Sequence, residues 1–83
     1  MITGFSVIPL QCRMARTALG LGVRDLAKLS KVGVATVARF EAGDDVRPAT
    51  VDSLRATLEK AGVEFIAENG GGPGVRLAKR KRK

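Results

Sequence analysis

The sequence predicts an all-α core of four to five short helices, followed by a C-terminal β-hairpin and a basic tail. Three features point there. From Cys12 to Leu58, apolar residues recur at three- and four-residue spacing, the period of helices with one buried face. Glycines at 20, 22, 33, 43 and 62 punctuate that stretch too often for any long helix. Beyond Gly62 the apolar period falls to two on both sides of NGGGPG (69–74), which reads as strand, turn and strand.

Residues 1–7 have no periodicity and are read as an N-terminal arm. Pro9 suits the first position of a helix, where its missing N–H is not needed. Cys12, Ala15 and Leu19 follow on one face, and Gly20 and Gly22 end the element. A second helix, residues 23–29, buries Leu26 and Ala27. A tight connection, residues 30–33, leads to a third helix, residues 34–42, which buries Val37 and Phe40 and stops at Gly43. Residues 44–48 form a loop. A fourth helix begins near Ala49 or Thr50, with Asp52 in its first turn and an apolar stripe of Val51, Leu54, Leu58 and Ala61. The hairpin then takes residues 63–68 and 74–78. An isolated hairpin is marginal in water, so it must lie on the helices or pair with a second chain. The expected organisation is an arm (1–7), a helical domain (8–62), a hairpin as candidate dimerisation element (63–78) and a basic tail (79–83).

Composition narrows the function classes. The net charge is +7, and the tail KRKRK supplies five of those charges, so the folded part is close to neutral. Three Phe and no Trp or Tyr give no aromatic platform for stacking unpaired bases. With one cysteine and no histidine, neither a disulfide framework nor a structural zinc site fits within one chain. Cys12 is expected as a small buried apolar residue. Asp44 and Asp45 are adjacent in a loop without a partner constellation, so an enzyme is not expected, nor a metal or cofactor. No apolar run approaches the roughly 20 residues of a membrane span, and MITGFSVIPLQ lacks a basic leader. A cytoplasmic protein without membrane contact is expected.

Two short helices joined by a tight turn, with Ala27 where they would cross, form a helix-turn-helix pattern whose shared core would be Leu26, Val32, Val37 and Phe40. The stretch LGLGVRDLAKLSKVGVATVARFEAG (19–43), with RP (47–48) before the next helix, resembles the Cro and phage-repressor type of DNA-binding domain, the XRE family, over roughly residues 8–62. The resemblance implies a bacterial or phage regulator of transcription, such as a repressor, that binds double-stranded DNA as a homodimer on an inverted repeat, associated with the nucleoid when bound. It implies base reading by Val34, Ala35, Thr36 and Arg39, and backbone contacts from Arg16 and Arg47. It also implies an ion pair between Arg16 and Glu41. Independently, the start of the second helix at Gly22 and Val23 can offer N–H groups to a phosphate, and Arg24 and Lys31 are further candidates for backbone contact, although such surface cations are more often merely solvated. Lys28 is expected to be merely solvated. The tail residues Lys79, Arg80, Lys81, Arg82 and Lys83 would neutralise phosphates.

The sequence departs from the family at three positions. Lys31 stands where the turn usually has Gly, and must take an unusual backbone angle unless the turn differs. Gly33 replaces the usual hydroxyl cap of the third helix. Val23 replaces a Gln that contacts phosphate. Two other functions stay open: a largely non-specific accessory DNA binder driven by the tail, and an antitoxin-like or other interaction module with a protein partner.

Overall fold

A computed structural model describes residues 9–66 and 72–77. The arm (1–7), the tail (79–83) and residues 67, 68 and 78 of the expected hairpin lie outside the described residues. The chain forms four helices and a two-stranded antiparallel hairpin: α1 (Pro9–Ala18), α2 (Val23–Ser30), α3 (Val34–Glu41), α4 (Pro48–Lys60), β1 (Val63–Ile66) and β2 (Gly74–Leu77). The strands pair Val63 with Leu77, Glu64 with Arg76, Phe65 with Val75 and Ile66 with Gly74.

One core joins the four helices and β1, with Val75 of β2 packed against it. It contains Cys12 and Ala15 of α1, Leu26 and Ala27 of α2, Val37 and Phe40 of α3, Leu54 and Leu58 of α4, and Val63 of β1. Leu26, Leu54 and Leu58 are fully buried, each contributing about 1.5–3 kcal/mol by leaving water. Helix α1 packs on α3, α4 and β2, while α2 packs on α3 and α4. The hairpin therefore lies on the helices: β1 rests on α4, and β2 on α1.

The helix ends follow one backbone scheme. After α1, Gly20 takes φ 73° and the Leu21 N–H reaches the Arg16 carbonyl at 2.9 Å. After α3, Gly43 takes φ 97° and the Asp44 N–H reaches the Arg39 carbonyl at 2.9 Å. After α2 the same left-handed position falls to Lys31, at φ 60°, and the Val32 N–H reaches the Ala27 carbonyl at 3.0 Å. Lys31 thus accepts the angle that glycine adopts freely, at a cost of about 1–2 kcal/mol. In all three turns the left-handed residue closes the helix and satisfies carbonyls that would otherwise be orphaned.

Several expectations need correction. Helix α4 begins at Pro48, not at Ala49 or Thr50, because proline is preorganised for the first helical position. Asp52 then lies one turn further in, and α4 has no acidic residue in its first turn. Ala61 caps α4 and is exposed, so it does not extend the apolar stripe. Ala42 caps α3 outside its helical span. Val32 is half-buried beside the core and not within it. Helix α1 holds the largest surprise: Leu10 is 54% exposed while the adjacent Gln11 is 1% exposed. The Gln11 side-chain amide donates to the Ile66 carbonyl at 2.9 Å and to the Gly74 carbonyl at 3.0 Å. A buried donor there satisfies carbonyls from both strands, which a leucine could not do.

Candidate nucleic-acid interface

Helix α3 has two distinct sides. Val37 and Phe40 enter the core, and Glu41 turns its carboxylate inward. Val34, Ala35, Ala38 and Arg39 are exposed, and Thr36 is half-buried. Val34 is 42% exposed although it is apolar. Gly33 precedes the helix in an extended conformation, with no side-chain hydrogen bond to cap it. The outer face thus carries small groups and one cation, as the sequence suggested.

Thr36, Arg39, Asp45, Val46, Arg47 and Thr50 surround an open concavity of about 600 Å³ between α3, the following loop and the start of α4. Three of the expected contact residues therefore share one depression: Thr36, Arg39 and Arg47. Val34 and Ala35 lie on the exposed side of α3 but do not line it. Arg39 Nε stands 3.6 Å from Asp44 Oδ2, and both side chains are about 60% exposed.

Arg16 and Glu41 meet as expected. Arg16 Nε donates to Glu41 Oε2 at 2.9 Å and Nη2 donates to Oε1 at 2.8 Å, a bidentate pair. Arg16 Nη1 also donates to the Leu21 carbonyl at 3.1 Å. Each nitrogen of the guanidinium thus already has a protein acceptor, and the side chain is only 16% exposed. Cys12 is buried, as expected, but it is more than an apolar filler: its thiol donates to Glu41 Oε2 at 3.4 Å. Arg13 Nε lies 3.9 Å from Glu41 Oε1.

This network moves the titrations. Burial pushes the Cys12 thiol up to about 12, helped by the Glu41 charge and the hydrogen bond it accepts, and opposed by Arg16. The thiol is therefore protonated and inert at neutral pH. Burial alone would raise the Glu41 carboxyl. Hydrogen bonds from Arg16 and Cys12, together with the charges of Arg16 and Arg13, outweigh it and hold the group below its ordinary value. The hydrogen bond to Glu41 raises the Arg16 guanidinium further.

The start of α2 differs from the expected phosphate site in one respect. The Gly22 N–H donates to Asp25 Oδ2 at 2.8 Å, so that donor is already used, and the carboxylate occupies the position of an incoming anion. Arg24, Lys28 and Lys31 are exposed, and Val23 is half-buried. Residues 79–83 lie outside the described residues. Among the described residues, no group of three or more acidic, cysteine or histidine side chains could hold a metal ion, and no helix is long and apolar enough to cross a membrane.

Neither a family model nor a curated protein matches the chain. Its chemistry rests on the side chains themselves. Sequence reasoning missed Gln11, the Cys12 donor, Asp25 and Asp44. Of these, only Asp25 carried a usable signal, an acid three residues after the Gly that caps α2.

Proposed function

We propose that the chain is a sequence-specific, double-stranded DNA-binding regulator of transcription, with α2 and α3 as a helix-turn-helix and α3 as its reading helix. The observation that carries this is the outer face of α3, where Val34, Ala35 and Ala38 are exposed and Arg39 is the lone cation. An α-helix about 10–12 Å across fits a major groove about 12 Å wide only if its side chains allow close approach. Small apolar groups allow it and can touch thymine methyls. Arg39 can donate two hydrogen bonds to guanine, worth about 1–3 kcal/mol of discrimination. Arg47, on the rim of the same concavity, suits a backbone contact. The resemblance of residues 8–62 to Cro and phage-repressor domains supports the same reading.

Arg16 acts mainly as a brace in this account, because its donors are already engaged by Glu41 and Leu21. Affinity then draws on the tail, whose five cations release counterions from DNA whatever its sequence. Dimerisation falls to the hairpin. Among the described residues its strands make backbone–backbone hydrogen bonds only with each other, and their outer edges can accept a second copy.

The test is selection of bound duplexes from a random DNA pool at about 0.15 M salt, where non-specific attraction is screened. The expected product is an inverted repeat with half-sites about one helical turn apart. Deletion of residues 79–83 should weaken binding and leave the enriched sequence unchanged. If deletion abolishes all binding and no sequence is enriched by the full chain, the protein is a tail-driven accessory binder.

A further inference from the structure

We propose that Asp44 determines specificity, by positioning the Arg39 guanidinium for base contact while turning phosphates away from the same face. The proposal rests on the reading of α3 as the DNA-facing helix.

The placement of Asp44 follows from the end of α3. With Gly43 at φ 97°, the Gly43 N–H reaches the Phe40 carbonyl and the Asp44 N–H reaches the Arg39 carbonyl. The backbone thus folds Asp44 back onto the turn that contains Arg39, whatever its side chain. The equivalent positions after α1 and α2 carry Leu21 and Val32, both half-buried. An apolar residue at that position usually covers its own helix end. After α3 the residue is an exposed acid, set against the negative end of the helix dipole. An exposed ion pair contributes little to stability, so the Arg39 contact does not explain an acid there on folding grounds.

The contact is loose. The nearest approach is Arg39 Nε to Asp44 Oδ2 at 3.6 Å, an ion pair and not a hydrogen bond. The Arg39 side chain stays 62% exposed, so its guanidinium can still reach an acceptor pair such as guanine O6 and N7. The Asp44 charge biases where that guanidinium sits without using up its donors. Asp45 lines the concavity with Arg39 and Arg47, and Asp44 pairs with Arg39 beside it, so two carboxylates stand against two guanidinium groups here. Phosphate attraction is independent of sequence. A balanced rim therefore gives up non-specific affinity and keeps the base contact.

The experiment uses the full chain and fluorescence anisotropy with two duplexes, the one enriched by the wild-type protein and a scrambled duplex of the same composition. Asp44→Ala and Asp44→Asn are compared with wild type and with Arg39→Ala, with circular dichroism confirming that each variant is folded. Both Asp44 variants should tighten binding to the scrambled duplex and lower the specific-to-scrambled ratio about three- to tenfold. A repeated selection with Asp44→Ala should relax the base pair that Arg39→Ala relaxes, and no other. Equal tightening on both duplexes, with base preference intact, would overturn the positioning role. No change on either duplex would reduce the pair to solvated surface charge. A wild-type chain that enriches no sequence fails at the first step, which refutes the sequence-specific reading itself and is distinguishable from failure of the Asp44 proposal.

Discussion

Glu41→Gln removes one charge and preserves shape, and the structure sets its expected cost. The carboxylate is 5% exposed and accepts Arg16 Nε at 2.9 Å, Arg16 Nη2 at 2.8 Å and the Cys12 thiol at 3.4 Å. In glutamine one oxygen becomes an NH₂ donor, so at least one of these donors faces another donor. Breaking a buried ion pair by neutralising one partner costs about 3–5 kcal/mol, whereas a single lost hydrogen bond to a charged group costs about 1.5–3 kcal/mol. Arg16 keeps some contact with water and its bond to Leu21, which places the expected loss at about 2–4 kcal/mol. A chain of 83 residues has roughly 4–12 kcal/mol to lose. At about 4–8 °C per kcal/mol, the midpoint should fall by about 8–32 °C in thermal unfolding followed by circular dichroism at pH 7. The pH dependence follows from the depressed Glu41 titration. A carboxyl lowered on folding stabilises above its unfolded pKa of about 4.3, and that contribution disappears as pH falls through the lower folded value. The difference between wild type and Glu41→Gln should therefore be constant from about pH 7 to pH 5 and close below about pH 4. A midpoint within about 3 °C of wild type at pH 7 would be under 1 kcal/mol and would refute the brace.

Gln11→Leu should leave the Ile66 and Gly74 carbonyls without their donor, at about 1–3 kcal/mol, and speed hydrogen exchange in β1 and β2 more than in α3; unchanged protection of the hairpin would show that the amide does not hold it. Lys31→Gly should relieve the left-handed angle but add unfolded-state entropy, for a net gain of up to about 1 kcal/mol in urea unfolding, and any loss would mean that the strain at Lys31 is smaller than that entropy cost. Because the Cys12 thiol is raised from 9.0 to about 12, its stabilisation is complete below the unfolded pKa and declines above it. Wild type should therefore lose up to about 1.4 kcal/mol per pH unit above about pH 9, while Cys12→Ala should lack that slope. Parallel pH profiles would show that the thiol titrates alike in both states.

The helices were legible because their signals are local. The spacing of Cys12, Ala15, Leu26, Val37, Phe40, Leu54 and Leu58 gave the buried faces, and glycines with positive φ gave three helix ends, after α1, α3 and α4. Leu10 and Gln11 defeated the same logic. Hydropathy turns leucine inward, but the acceptors that draw Gln11 in lie 55 and 63 residues away on the returning hairpin. Nothing near residue 11 announces them. The Arg16–Glu41 pair spans 25 residues and was accessible only through the resemblance, while the Cys12 bond to the same carboxylate had no signal in residue type or spacing. Asp44 drew attention only as half of an acidic pair, because its contact with Arg39 arises from the backbone turn at Gly43.

The division of α3 into two faces depends on that same distant network. Eight residues are too few for a helix that stands alone in water, so α3 persists because other elements hold it. Val37 and Phe40 supply the apolar attachment, and Glu41 fastens the last turn to Arg16. The same guanidinium binds the Leu21 carbonyl, so one side chain links α1, the segment leading into α2 and the end of α3. With its inner side and last turn secured in this way, α3 needs no stabilising charge pairs along its outer face. That face can be left to Val34, Ala35 and Ala38, whose small size would otherwise contribute little to an exposed helix. Loss of the brace should therefore loosen the orientation of α3 before it unpicks the core. A Glu41→Gln protein studied well below its midpoint should remain helical while binding the selected duplex more weakly than its folded fraction accounts for.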